Sequence, residues 1–173
     1  MTAGVPVLVV SGPVGAGKTT IAGEAGLMLQ QAGVPHAVVD LATVAMCWPP
    51  PDDDPWNERL VHRNLAAMWD QFRAAGASRL IVCRVLEDRS LLRHIRDAVP
   101  GAEIVVVHLQ VPIDLLRHRL RARQAGRDSS WHLGAAEYLN RTMRPEQLAD
   151  YVVNNDDRPP RAVAEEVINL IGW

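Results

Sequence analysis

The chain has 173 residues, 48% of them hydrophobic and 22% charged, with a formal net charge of −2 and a pI near 6.3. One domain of residues 1–173 with a sizeable core fits this length, and the near-neutral balance gives no basic field to attract nucleic acid or an anionic membrane. Cys47 and Cys83 are too few for a disulfide framework, and no apolar run approaches the roughly 20 residues that span a bilayer, so a cytoplasmic protein with packed thiols is expected.

Val5-Pro6-Val7-Leu8-Val9-Val10 is a short apolar run rich in β-branched residues and reads as a buried strand. The N-terminus runs straight into it without a basic segment, so it is not read as a signal peptide. Gly12-Pro13-Val14-Gly15-Ala16-Gly17-Lys18-Thr19 follows, the G-x-x-x-x-G-K-[ST] phosphate-binding pattern, and Thr20 continues into a helix over about 18–32. Lys18 is the only lysine in the chain; every other long cation, from Arg59 to Arg161, is arginine. An ammonium is a compact point charge, whereas a guanidinium is a broad planar fork, and only the former suits a narrow loop crowded with phosphate oxygens. Gly12, Gly15 and Gly17 let successive N–H groups turn inward around an anion, with Ala16 between them, and the helix start adds partial positive charge. Lys18 is expected to bridge the β- and γ-phosphates of a nucleotide and Thr19 to ligate Mg²⁺. A dinucleotide site would need a third glycine where Thr20 stands.

A second strand over 36–40 ends in Asp40, placed to orient or deprotonate an acceptor hydroxyl or to hold the metal. The stiff stretch Trp48-Pro49-Pro50-Pro51-Asp52-Asp53-Asp54 leads to a helix over about 56–75, with Asp54 as its cap, Pro55 as its first residue, and Val61, Leu65, Met68, Trp69 and Phe72 as its buried stripe. Segment 41–75 is the candidate acceptor side, with Trp48, Arg59 and Arg63 as possible contacts. A third strand over 79–85 carries Arg84 at its end, a further candidate for a polar or anionic acceptor. A helix over 88–98 follows, then a strand over 103–109 whose unbroken Ile104-Val105-Val106-Val107 suits burial on both faces.

The helix over 112–124 buries Ile113, Leu116 and Leu120 and carries Arg117, Arg119, Arg121 and Arg123. Arg127 would continue the line of Arg119 and Arg123 into a lid over about 123–132. A helix over 132–149, a strand over 151–154 ending in Asn154 and Asn155, and a helix over 160–171 complete the chain. This alternation implies an α/β fold with a five-stranded parallel sheet and helices on both faces, with ligands at the carboxyl ends of the strands. The six histidines form no metal-ligand cluster, and the five tryptophans are expected mainly as packing residues.

Together these residues resemble the family of small P-loop kinases that includes shikimate, gluconate, adenylylsulfate and nucleoside monophosphate kinases and chloramphenicol phosphotransferase. The resemblance spans essentially the whole chain and implies a three-layer P-loop NTPase fold with strand order 2-3-1-4-5. It also implies that Asp40 contacts the acceptor. Arg119-Leu120-Arg121-Ala122-Arg123 matches the family's R-L-x-x-R helix, which implies that Arg119 stacks on adenine while Arg123 and Arg127 reach the phosphates. Asn154-Asn155-Asp156 looks like the adenine-binding loop. The chain departs from the pattern in reading Asp40-Leu41-Ala42 where several relatives have Asp-x-Asp; with one carboxylate missing, either Asp40 serves the metal or the acceptor, or the reaction leans on another group. It also has Arg84 where many P-loop ATPases carry an acid.

The expected activity is ATP- and Mg²⁺-dependent phosphoryl transfer to a small-molecule acceptor, at a hydroxyl. The alternative is an ATP-binding regulatory or resistance module with little transfer chemistry. A GTPase is the least favoured reading, because the base-reading N-K-x-D motif needs a second lysine. The expected partners are a nucleotide and a small acceptor, with no nucleic acid and no membrane; the sequence names neither the acceptor nor an oligomeric state.

Overall fold

The computed structural model describes residues 4–123 and 130–173. Strand β1 (Val5–Ser11) lies at the centre of a five-stranded sheet, because its residues Val7 to Val10 are fully buried. β3 (Leu80–Cys83) and β4 (Ala102–Gln110) flank β1, with β2 (Ala37–Asp40) and β5 (Tyr151–Asn154) outside them, giving the order β2-β3-β1-β4-β5 that the resemblance implies. Every pairing is parallel, and Val10 lies level with Cys83 and Val107.

Alternation along β1 divides the core between the two faces of the sheet. Leu8 and Val10 pack with α1 (Lys18–Gln31), α5 (Ile113–Arg123) and α8 (Pro160–Ile171) through Ile21, Leu116 and Val167. Val7 and Val9 pack on the opposite face with α3 (Glu58–Ala74) and α4 (Leu92–Ala98) through Leu65, Trp69 and Ile95. The result is the expected three-layer sandwich, with all strand ends that carry candidate residues on one edge. Among the described residues no helix is long and apolar enough to cross a membrane.

Local chemistry corrects several sequence expectations. A short helix α2 (Leu41–Val44) follows β2 directly, because Asp40 caps it: Ala42 N donates to Asp40 Oδ1 at 3.0 Å, and Thr43 Oγ1 donates to the Asp40 carbonyl at 2.7 Å. Helix α3 starts at Glu58 rather than near 56, leaving Pro55 in the preceding turn. Asp54 still satisfies its open end, accepting from Glu58 N (2.7 Å), Arg59 N (2.9 Å) and Leu60 N (3.1 Å). The expected helix over 132–149 is broken into α6 (Ser130–Thr142) and α7 (Pro145–Leu148), since Pro145 has no N–H to donate and disfavours helical backbone at Arg144. Cys83 is a packed thiol, but Cys47 is exposed. Trp69 packs in the core as expected, while Trp131 is 70% exposed against expectation; Trp48 and Trp56, which bracket the candidate acceptor loop, are 90 and 80% exposed.

Candidate active site

The loop between β1 and α1 is shaped by glycine. Gly12, Gly15 and Gly17 have φ of 140°, 85° and 90°, the left-handed region that L side chains rarely adopt. A Cβ on Gly12 would stand 2.8 Å from the Leu109 carbonyl oxygen, and one on Gly17 would stand 2.8 Å from Asn155 Nδ2. At the start of α1 no side chain caps the helix, and the first helical bond is made by Ile21 N to the Gly17 carbonyl at 2.9 Å. The N–H groups of the first turn are therefore left for an anion.

Lys18 occupies the first helical position and folds its ammonium back, donating to the carbonyls of Gly12 (3.0 Å) and Pro13 (2.9 Å). Burial pushes its pKa down from 10.5 to about 8, opposed only in part by nearby groups that include Asp40. The charge of this ammonium is only partly offset by its surroundings, and a phosphate chain would complete the balance. Beneath it, burial pushes the Cys83 thiol up to about 12, so that side chain is a neutral packing group rather than a nucleophile.

Thr19 donates its hydroxyl to Asp40 Oδ2 at 2.5 Å, joining the first turn of α1 to the end of β2. These two hard oxygen donors fit Mg²⁺, which takes one or two protein oxygens and completes its shell with phosphate and water. Among the described residues no group of three or more His, Cys, Asp or Glu could hold a metal unaided.

A cavity of about 320 Å³ opens beside the helix start, lined by Gly15, Gly17, Lys18, Thr19 and Thr20 and by Arg119, Arg123, Asn155 and Arg158. The buried side chain of Asn155 holds this side together. Its Nδ2 donates to the Ala16 carbonyl at 2.7 Å, its N–H to the Gln110 carbonyl at 2.9 Å, and its own carbonyl accepts from Arg119 Nη2 at 2.9 Å. Asn154 is exposed and contributes its carbonyl to Arg158 Nη1 at 3.0 Å, while Arg158 also pairs with Glu166 at 2.7 Å. Arg158 is absent from the sequence-derived set; its one signal is its place just beyond the fifth strand. Arg127 and most of the expected lid lie outside the described residues.

The candidate acceptor residues are placed differently. Arg84 follows β3, is mostly buried and pairs with Glu58 at 2.5 Å, while its Nε is buried without a partner among the described residues. Arg59 pairs with Asp53 at 2.5 Å, holding that carboxyl below its usual range, and Arg63 is exposed. Asn57 Nδ2 donates to the carbonyls of Ala45 (2.9 Å) and Cys47 (3.2 Å), closing the neck of the loop that carries Trp48 and Trp56. The structure thus brings Lys18, Thr19 and Asp40 together. Arg59 and Arg84 already face internal carboxylates.

Residues 8–153 match a family model described as an AAA domain. No curated protein matches the chain. Among solved structures, the tunicamycin resistance protein of Deinococcus radiodurans is similar at 22% identity and a TM-score of 0.67, covering 98% of this chain and 96% of that one. The APS kinase CysC of Mycobacterium tuberculosis, in complex with AMPPNP and APS, is similar at 18% identity and a TM-score of 0.64, covering 99% of each chain. A gluconokinase from Sinorhizobium meliloti 1021 is 20% identical with a TM-score of 0.62, covering 98% of this chain and 93% of that one. At these identities the likeness is one of fold.

Proposed function

The chain belongs to the AAA-domain family, and on that premise we propose that it binds ATP and transfers the terminal phosphoryl group to a hydroxyl of a small-molecule acceptor. The observation that carries this reading is the contact of Asp40 with Thr19, one residue from the buried ammonium of Lys18. A nucleotide-holding loop also uses a lysine, a hydroxyl and a second-strand carboxylate for Mg²⁺, so the contact supports transfer through the second role open to Asp40, orienting an acceptor hydroxyl. Phosphoryl transfer needs all three, since its catalysis is mainly positioning and charge stabilisation.

In this reading the open N–H groups at the start of α1 and Lys18 hold the phosphates. Arg119 and Arg123 flank the nucleotide from α5, and Arg158 does so from beyond β5. Asp40 orients the acceptor hydroxyl and takes its proton as the new oxygen–phosphorus bond forms. With Asp40 given to the acceptor, Mg²⁺ held at the Thr19 hydroxyl would neutralise charge on the phosphate oxygens. Folds shared with proteins named as gluconokinase and APS kinase support the same reading.

A second reading, an ATP-binding module with little transfer chemistry, is favoured by one observation. Asp40 is the one carboxylate bonded to Thr19 among the described residues. Incubation with ATP, Mg²⁺ and a small-molecule extract, followed by mass spectrometry, separates the two. Transfer predicts ADP together with a metabolite heavier by one phosphoryl group; tight ATP binding without such a product would favour the module.

A further inference from the structure

Met46, Trp48 and Trp56 are the three most exposed large apolar side chains among the described residues, and all three stand on the loop that joins α2 to α3. Single apolar side chains in water are ordinary, whereas three large ones on one short loop mark a surface built to be covered. Resting on the phosphotransfer reading, we propose that the acceptor itself covers them, and that its reacting hydroxyl is carried by a flat apolar or aromatic ring system.

The loop presents these side chains from fixed backbone. Asn57 is 8% exposed and its Nδ2 donates to the carbonyls of both Ala45 and Cys47. Trp48 follows Cys47 and Trp56 precedes Asn57, so the two indoles spring from one junction. Asn57 holds a left-handed φ of 55°, which asparagine adopts more readily than most residues. Within the loop Asp54 N donates to the Pro51 carbonyl at 3.0 Å, and Asn57 N to the Asp54 carbonyl at 2.9 Å. Little further ordering is needed when a ligand meets a loop held in this way. An indole gives a broad, rigid face that gains most against another flat apolar surface, and Met46 adds an adaptable thioether.

The same junction is tied to Asp40 from two directions. Helix α2 has four residues and is capped by Asp40, so a rise of roughly 6 Å separates the end of β2 from Ala45. From the other side, Glu58 adjoins Asn57 and accepts from Arg84, which follows Cys83, the residue level with Asp40 in β3. Neighbouring strands lie roughly 5 Å apart. Gaps of this size are spanned by one molecule of two or three rings, with its hydroxyl at Asp40 and its rings on the indoles. A second protein chain covering the tryptophans would gain nothing from their tie to the strand ends that carry Asp40.

The test divides a small-molecule extract on a reversed-phase column into retained and unretained pools. Each is incubated with γ-labelled ATP, Mg²⁺ and the intact protein. The proposal predicts labelled product from the retained pool. It also predicts that Trp48→Ala and Trp56→Ala each raise the KM for that acceptor roughly tenfold while ATP affinity is retained, and that Trp48→Phe and Trp56→Phe recover part of the loss. Both positions are exposed, and ATP binding reports that each variant is folded. Product from the unretained pool alone would overturn the proposal and leave phosphoryl transfer standing. Product from neither pool, with ATP bound normally, would overturn both. An unaltered KM in either alanine variant would overturn the proposal, and a wild-type dimer lost in those variants, read by light scattering, would then assign the loop to a second copy of the chain.

Discussion

The two flanks of the phosphate loop differ in how their polar groups are partnered. On the nucleotide side Asn155 ties the loop to β4 and, through its carbonyl, to Arg119, while the first-turn N–H groups and the Lys18 ammonium await an anion. On the proposed acceptor side two arginines already face carboxylates, Arg84 with Glu58 and Arg59 with Asp53, and large aromatic side chains stand in solvent. One flank is a rigid cradle with unmet positive charge. On the other, the described pairs Arg84–Glu58 and Arg59–Asp53 already join opposite charges.

This contrast can be broken in a graded series. The largest effect should come from Lys18→Ala, which removes the half-buried ammonium of the cradle. Phosphoryl transfer should fall roughly a thousandfold or more, with ATP binding weakened as well, measured by steady-state kinetics and calorimetry. Asp40→Asn should separate the flanks, lowering kcat about a hundredfold or more while ATP affinity changes little. Equal losses in kcat and ATP affinity would instead make Asp40 a structural cap for α2.

A third expectation concerns pH. Lys18 in the free protein has its pKa lowered to about 8, and bound phosphates, being anionic, raise it again. ATP therefore binds the protonated form. Affinity should be level below about pH 8 and fall by up to about tenfold per unit above it, with proton uptake on binding. A titration series from pH 7 to pH 10 reads this directly, and Lys18→Ala should flatten the slope.

The remaining changes are smaller. Asn155→Ala leaves the buried Ala16 carbonyl without its partner, so urea unfolding should show a loss of about 1–3 kcal/mol, together with several-fold weaker ATP binding. Asp54→Ala removes the acceptor for three N–H groups of α3 and should cost about 0.5–2 kcal/mol of stability with ATP affinity unaltered.

The nucleotide flank was largely legible in the sequence because its constraints are local. The glycines, Lys18 and Thr19 fall within eight residues, and the apolar run before them names the strand that presents them. Asp40 was legible from its position at the end of β2, since sheets of this kind gather strand ends on one edge. What escaped depended on distant partners. Asn155 reads as a candidate base contact in sequence, yet its side chain serves the Ala16 carbonyl 139 residues away. Arg84 reads as an open cation until Glu58, 26 residues earlier, is seen beside it. The α6–α7 break had a visible cause in Pro145, outweighed by the helical periodicity around it. The exposure of Trp131 went against the general expectation for tryptophan, which is found inside more often than out.

The central claim is that Lys18, at the start of α1, and Asp40, at the end of β2, act in one transfer reaction. It is tested most directly by following the terminal phosphate of γ-labelled ATP with wild-type protein, Lys18→Ala and Asp40→Asn. The account predicts label on a small-molecule hydroxyl with the wild type, none with Lys18→Ala, and a product rate about a hundredfold lower with Asp40→Asn at unchanged ATP affinity. Label released only as inorganic phosphate, or transferred equally well without the Asp40 carboxylate, would contradict it.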